Sequence, residues 1–300
     1  MRKYLRYANL MALGAGAAGM LLMLWLFFTG TDERGLYPAK HPGWILLWVL
    51  TGAVVAVMWL LSRQAGKNRN YRENFPESLA AAIGSAVGGA GLLTGALHVM
   101  QGDGVLQLLC GLCGIGSALS LFWGGFCRFR GLRSKLPTHV LPCFFFALQL
   151  FVLGQEYGAE PEMCRYLYRF FASAALVPAC YWLWSFDVNL ARRPLCVFWC
   201  LVAAYCSLIA VAGTNQWLFY GGAAVWMLTN LPTLEYLPKQ TRPQPAHTLP
   251  QEPASENMPA VEPVTPVAEP VPVQDLLATK MPDVDAILEE LLRDFGKTEE

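Results

Sequence analysis

Two apolar runs joined by a short polar turn decide the fold class: LAAAIGSAVGGAGLLTGALHVM at residues 79–100 and VLQLLCGLCGIGSALSLFWGGF at residues 105–126. Each run reaches the length of roughly 20 apolar residues that a helix needs to cross the hydrocarbon core of a bilayer. Only residues 101–104 lie between them, which suffices for a turn and nothing larger. The pair therefore predicts two antiparallel membrane-spanning helices that form a tight hairpin.

Six further runs of this kind occur in the first 236 residues. The whole chain is 55% hydrophobic and 15% charged, whereas soluble domains average about 45–50% and about 25%. The sequence predicts an all-α fold, a polytopic membrane helix bundle of about eight transmembrane helices within residues 1–236. The predicted spans are 8–29, 44–61, 79–100, 105–126, 139–154, 167–186, 195–213 and 217–236.

The positive charges indicate the orientation of the bundle, because lysine and arginine collect in cytoplasmic loops. If the predicted spans alternate in direction, fifteen of these side chains within residues 1–242 fall on the side of the N-terminus. Four fall on the other side, at positions 34, 40, 165 and 169. Both termini are therefore predicted to be cytoplasmic, as an even number of spans requires. We expect a multi-pass protein of the cell membrane, and the lack of an N-x-S/T acceptor fits a bacterial plasma membrane.

Small residues recur on one face of the third predicted span and again in the fourth. Lipid is as apolar as the helices, so membrane helices associate by close packing, which small side chains permit. The glycines of the third span are three or four residues apart, a spacing that places them on one helical face. We predict helix packing through Gly84, Gly88, Gly91, Gly95, Gly111 and Gly114.

Polar residues are scarce inside the predicted spans. No Asp, Glu, Lys or Arg falls at the centre of any span, which argues against a proton pump, since such groups mark ion pathways. His98 and Gln107 lie near the outer ends of the third and fourth spans. They are the possible pocket residues, where an interhelical hydrogen bond is the alternative to the polar rim of a pocket.

The chain has nine cysteines, and Cys110 and Cys113 form the motif CGLC in the outer half of the fourth span. A membrane thiol oxidoreductase that works with a quinone could hold two thiols at this depth. Vitamin K epoxide reductases are one family of this kind, and their arrangement also has a pair of loop cysteines that shuttle electrons, whereas the predicted outer loops of this chain contain only Cys164. Buried membrane cysteines are more often small apolar residues with unreactive thiols.

Other chemistry is not indicated by the sequence. The metalloprotease, nucleophile-elbow and Walker motifs do not occur, so we expect no cofactor or metal, and we favour a role other than catalysis. The formal net charge is zero, which argues against a nucleic-acid partner, since such proteins are typically basic.

The composition changes abruptly after residue 236. Eleven prolines fall between residues 238 and 282, and proline opposes regular helix, so residues 237–281 are predicted to be a disordered cytoplasmic linker. Residues 282–296 read PDVDAILEELLRDFG and predict an acidic amphipathic helix with Pro and Asp in its first turn and Gly at its end. Residues 297–300 are predicted to be a disordered end. The apolar stripe of this helix is the predicted partner-binding surface, formed by Val284, Ile287, Leu288, Leu291 and Phe295.

These features leave three functions open. A scaffold or signalling component would dock a cytoplasmic protein through the terminal helix, in the helix-in-groove mode. A transporter or permease for an uncharged or amphipathic solute would use the bundle, and a thiol oxidoreductase would use Cys110 and Cys113.

The net charge of zero combines 17 basic and 10 acidic residues in 1–236 with 5 basic and 12 acidic residues in 237–300. Docking of the acidic tail onto the basic loops of the same protein is therefore a rival to partner recruitment.

Overall fold

The computed structural model describes residues 2–29, 42–65, 74–75, 77–132, 138–157, 163–188, 190–212 and 214–235. Over these ranges the secondary structure is helical, with eight helices and no strand. The linker, the terminal helix with its stripe from Val284 to Phe295, and residues 297–300 lie outside the described residues. The helices are α1 (Arg2–Thr29), α2 (Pro42–Arg63), α3 (Leu79–Val99), α4 (Val105–Phe129), α5 (Val140–Tyr157), α6 (Met163–Ser185), α7 (Arg193–Ala212) and α8 (Trp217–Glu235).

Five of these helices are long and apolar enough to cross a membrane, judged by length and composition: α1 over Tyr7–Thr29, α2, α3, α4 and α7. α5 contains a shorter apolar segment, Val140–Glu156. The all-helical structure with several apolar helices indicates a membrane-embedded, multi-pass protein and agrees with the expected all-α class, whereas the eight spans and their orientation stay predictions.

α7 is the central helix of the bundle. It contacts α1, α2, α6 and α8, and every residue from Cys200 to Ser207 is buried. α2 lies at the periphery instead, and large apolar side chains such as Ile45 and Val49 are exposed along it. Both helices are strongly apolar, so the difference between them comes from the number of neighbouring helices.

The glycine stripe of α3 packs against α8. Side chains placed at Gly84, Gly88 and Gly95 would meet Thr229, Trp226 and Phe219 of α8, respectively. At Gly91 the two backbones themselves approach each other, since an added Cβ would lie 2.7 Å from the carbonyl oxygen of Leu218 and 3.2 Å from Cα of Gly222. The close approach that the spacing implied is present, but the helix that makes it is α8, not the hairpin partner α4.

The α3–α4 hairpin is also present, and it packs through a different set of small residues. An added Cβ at Gly111 would meet Met100 and the carbonyl oxygen of Ala96, and one at Gly114 would lie 2.6 Å from Cβ of Ala96. An added Cβ at Gly125, nearer the end of α4, would lie 3.1 Å from the carbonyl oxygen of Ala82. α3 therefore contacts two neighbouring helices closely, through two different faces.

α4 ends in a local motif that its sequence encodes. The backbone N–H of Leu132 donates to the carbonyl oxygen of Cys127, and the backbone N–H of Gly131 donates to the carbonyl oxygen of Arg128. Gly131 has a φ of 64°, a left-handed conformation that favours glycine because a Cβ would clash there. These are the two hydrogen bonds of a Schellman motif, which ends a helix by satisfying its last carbonyls.

Candidate functional site

A cavity of about 490 Å³ opens at one end of the bundle, which we call the cavity end. α1, α3 and α7 end there and α6 and α8 begin there. Its volume falls within the range of about 300–1,000 Å³ that is typical of small-molecule sites. The lining residues are Leu24, Phe27, Phe28, His98, Tyr166, Arg169, Ala212, Thr214, Asn215 and Gln216.

Several of the residues that line the cavity are polar, and one of them is a buried arginine. Arg169, in the second turn of α6, is only 8% exposed, and its guanidinium carbon lies 4.9 Å from the ring centre of Tyr166. Thr214, Asn215 and Gln216 line the cavity from the turn before α8. The Thr214 hydroxyl accepts a hydrogen bond of 2.9 Å from the backbone N–H of Gln216, which holds the turn against the start of α8.

The apolar residues that line the cavity come mainly from the last two turns of α1. Leu24, Phe27 and Phe28 line it, together with Ala212 at the end of α7. Phe28 is 84% exposed, so the apolar lining reaches the outer surface of the bundle. The cavity lining thus combines polar residues, including the buried Arg169, with apolar residues that reach the protein surface.

Of the two possible pocket residues, the structure brings only His98 to the cavity. The side chain of Gln107 lies instead beside Gly102 and Gly104, close to the space that a Cβ would occupy at each. Gln107 can fold back onto this turn because the two glycines carry no side chains. Gln107 is therefore not among the residues that line this cavity with His98.

The alternation of the predicted spans assigns Arg169 to the outer side of the membrane, at the edge of a loop. The structure sets it inside α6 and buries it. A signal was available, because position 169 falls within the predicted span 167–186. Nothing in the sequence marks the polar residues 214–216 as part of a site, because only the fold brings them next to α1 and α6.

A second polar cluster lies at the opposite end of the bundle, around the buried side chain of Arg128. The Arg128 guanidinium donates a hydrogen bond of 3.0 Å to the amide oxygen of Asn230, and its central carbon lies 4.2 Å from the ring centre of Phe75. His139 stacks on Trp226 with ring centres 6.1 Å apart. These contacts link α4 and the residue directly before α5 to α8, which gives the cluster a structural role.

Within this cluster is a void of only about 10 Å³, lined in part by Arg128, His139 and Asn230. A void of this size is about the minimum that holds one water molecule. The Thr138 hydroxyl and Nδ1 of His139 are 3.2 Å apart at its edge. The cluster has no room for an organic ligand.

A third polar group joins three helices in the core. The Thr51 hydroxyl of α2 lies 2.6 Å from the Tyr168 hydroxyl and 3.0 Å from the Tyr205 hydroxyl. Thr51 also donates to the carbonyl oxygen of Leu47. Both tyrosines are buried, so these bonds satisfy polar groups that water does not reach and attach α2 to α6 and α7.

The two thiols of the CGLC motif pack against α5. The Cys110 thiol is buried and donates to the side-chain oxygen of Gln149 at 3.6 Å. The Cys113 thiol donates to the carbonyl oxygen of Leu141 at 3.7 Å. Both are free cysteines, whereas Cys164 lies among residues whose side chains are not described. Across the described ranges, no group of three or more His, Cys, Asp or Glu side chains is arranged to hold a metal ion.

Comparison with known proteins adds no relative from which a function could be transferred. No protein family, no curated protein and no solved structure matches this chain. The function must therefore be inferred from the residues of the chain itself.

Proposed function

We propose that this protein is a scaffold or signalling component of a bacterial plasma membrane, and that its C-terminal tail docks a cytoplasmic protein. In this proposal all eight helices cross the bilayer and both termini are cytoplasmic. The basic side chains at one end of the bundle support this orientation, among them Arg63, Arg128 and Arg193, which stand at the ends of α2 and α4 and at the start of α7. Such an end is expected to face the cytoplasm.

The observation that carries the proposal is the sequence of the tail. A proline-rich linker of residues 237–281 is predicted to separate the bundle from an amphipathic helix at 282–296. A flexible linker of this length would span roughly 35–40 Å on average. An isolated helix of about 14 residues is marginal in water, so its apolar stripe is expected to fold against another surface. Tethering raises the local concentration of the helix at the membrane.

The proposal is tested by substitutions in the terminal helix of the full-length chain, followed by crosslinking in intact membranes. Leu288→Glu places a charge in the apolar stripe and should reduce partner crosslinking about tenfold or more, because a buried Leu contributes about 1.5–3 kcal/mol. Glu290→Gln is the matched control on the polar face and should leave crosslinking unchanged. An identical set of crosslinked proteins for Leu288→Glu would refute partner docking.

The same experiment separates recruitment from self-docking. If the acidic helix binds the basic loops of its own chain, the crosslinks become intramolecular and weaken at high salt, because screening reduces attraction between exposed charges. That result would replace the docking proposal with an autoregulatory contact.

A second candidate, a transporter or permease for an uncharged or amphipathic solute, is favoured by the cavity end. A cavity lined by His98 and Arg169 gives a solute a place to bind. Large buried side chains, including Tyr205, Trp226 and Phe145, fill the core of the bundle, so passage would require a change of conformation. Solute flux into proteoliposomes separates the two candidates, because a protein that only docks a partner carries no flux.

A thiol oxidoreductase is the least supported alternative. Thiol chemistry requires an accessible thiolate, whereas the Cys110 side chain is buried and hydrogen-bonded to Gln149. Packing between α4 and α5 is sufficient to account for the CGLC motif.

A further inference from the structure

Two thiols of the central helix α7 lie next to each other in the core of the bundle. Sγ of Cys196 and Sγ of Cys200 are 4.0 Å apart, and both side chains are fully buried. Residues four apart in an α-helix lie on the same face, one turn above the other, so the helix itself holds the two sulfurs together. This pair is separate from the CGLC motif of α4 and from the predicted terminal helix.

The separation of these sulfurs fits a shared metal ion better than a disulfide bond. The sulfurs of a disulfide lie about 2.05 Å apart, so the two thiols would have to approach each other by about 2 Å inside a closely packed core. A metal ion bonded to both sulfurs at about 2.3 Å would hold them about 4.6 Å apart in a linear arrangement. The sulfurs would then separate by only about 0.6 Å, which small rotations of the two side chains provide.

The number of ligands restricts the metals that this pair suits. Among the residues that the structure describes, no group of three or more His, Cys, Asp or Glu side chains could hold a metal ion, whereas structural Zn²⁺ sites are almost always four-coordinate. Thiolates are soft ligands that select soft ions. Cu(I), Ag(I) and Hg(II) are soft ions that form two-coordinate complexes with two thiolates, so the pair favours this class over Zn²⁺.

The surroundings of the pair suit a soft ion and leave it a short route of entry. The thiol of Cys180 in α6 is also buried and interacts electrostatically with both cysteines of the pair. It does not complete a three-ligand site with them, but it adds a polarisable neighbour. Cys196 and Cys200 are the fourth and eighth residues of α7, and helix ends fray, so an ion reaches them without crossing the whole bundle.

We propose that Cys196 and Cys200 bind one soft metal ion, Cu(I) or an ion of the same chemistry, as a two-coordinate bis-thiolate. Each thiol releases its proton to water and forms one sulfur–metal bond, and no atom is oxidised or reduced. Metal binding of this kind is therefore accompanied by the release of protons. This proposal goes beyond partner docking and does not depend on it.

Binding is measured on the reduced full-length chain in a non-ionic detergent without oxygen. Cu(I) is supplied from a chelator of known affinity, and charge-transfer absorbance between thiolate and metal in the ultraviolet reports the complex. We expect one tightly bound Cu(I) per chain, with two protons released for each ion. Hg(II) should displace this ion and Zn(II) should not. X-ray absorption of the loaded chain should show two sulfur neighbours around the metal.

Variants connect the binding to the pair. Cys196→Ser and Cys200→Ser should each weaken the tight site by about a hundredfold or more, since even the outer-shell partners of a metal contribute about 10–100-fold. Cys206→Ser removes another buried thiol of α7 and is the matched control, with unchanged affinity expected. If the serine variants do not fold, Cys196→Ala and Cys200→Ala remove the same ligands without introducing a hydroxyl group into the core.

Several results would overturn the proposal. These are the absence of a tightly bound Cu(I) in the natural chain, displacement of Cu(I) by Zn(II), and unchanged affinity in a folded variant of Cys196 or Cys200. If none of these variants folds, X-ray absorption of the natural chain decides, because three or four sulfur neighbours would exclude a two-cysteine site.

Discussion

Replacing Gly91 with alanine should destabilise the bundle, because the new methyl group would be placed between two helix backbones. In the structure this methyl would lie 2.7 Å from the carbonyl oxygen of Leu218, 3.2 Å from Cα of Gly222 and 3.3 Å from the carbonyl oxygen of Phe219. All three atoms belong to the backbone of α8. A rotamer change cannot relieve the contact, so α3 and α8 must move apart.

The magnitude follows from two opposing effects. Forcing an extra methyl group into a well-packed contact typically costs about 1–3 kcal/mol. Alanine also gains up to about 1 kcal/mol over glycine in a helix interior, as measured in water. The net destabilisation of Gly91→Ala is therefore about 0–2 kcal/mol, too broad a range to interpret from one variant.

Gly52→Ala is the matched control that removes this ambiguity. Gly52 lies in the interior of α2, and an added Cβ there meets nothing within 4 Å. This variant has the helix-propensity gain without the clash, so its stability should stay equal or rise. The difference between Gly91→Ala and Gly52→Ala isolates the steric cost, which we expect to be about 1–3 kcal/mol.

The assay is reversible unfolding of the purified chain in mixed micelles by increasing fractions of a denaturing detergent. Midpoints and slopes are compared for the natural chain and the two variants. A difference below about 0.5 kcal/mol between the two variants would refute the close α3–α8 crossing, since additivity between sites holds only to about that precision.

Two polar contacts yield predictions in the same unfolding assay. Asn230→Ala removes the acceptor that lies 3.0 Å from the buried Arg128 guanidinium, and it should cost about 1–3 kcal/mol because a buried charged donor loses a partner; an unchanged midpoint would contradict this role. Thr51→Val keeps the side-chain shape but removes the hydroxyl that bonds to Tyr168 and Tyr205. It should also cost about 1–3 kcal/mol, whereas Thr51→Ser should recover most of the loss, and equal stability of the two Thr51 variants would exclude a contribution from the hydroxyl.

The glycine stripe of α3 illustrates how far sequence reasoning reaches. The spacing of Gly84, Gly88, Gly91 and Gly95 identifies a helical face that allows close approach, because the period of the helix converts sequence distance into direction. The partner of that face is α8, which begins more than 100 residues later in the chain. Chain proximity suggested α4, but the packing of the whole bundle decides the partner.

The same contrast between sequence and packing applies to the residues of the candidate site. His98 could be singled out in advance because a histidine near the end of an apolar span is unusual. The sequence does not show that Arg169 and Gln216 line the same cavity as His98, because they come from α6 and from the turn before α8. Gln107 is near in sequence but packs against its own turn, because Gly102 and Gly104 leave space there.

The sequence alone determined the class of protein and the positions of its apolar helices. Hydropathy and helix length are properties of each segment, and a bilayer selects segments on those properties without reference to their neighbours. Only the tertiary structure decided that α7 is enclosed by other helices while α2 lies at the periphery, that α3 packs closely against α8, and that Arg169 lines the same cavity as His98 and Phe28. These features depend on which surfaces meet across the chain, and that outcome belongs to the packing of all the helices together.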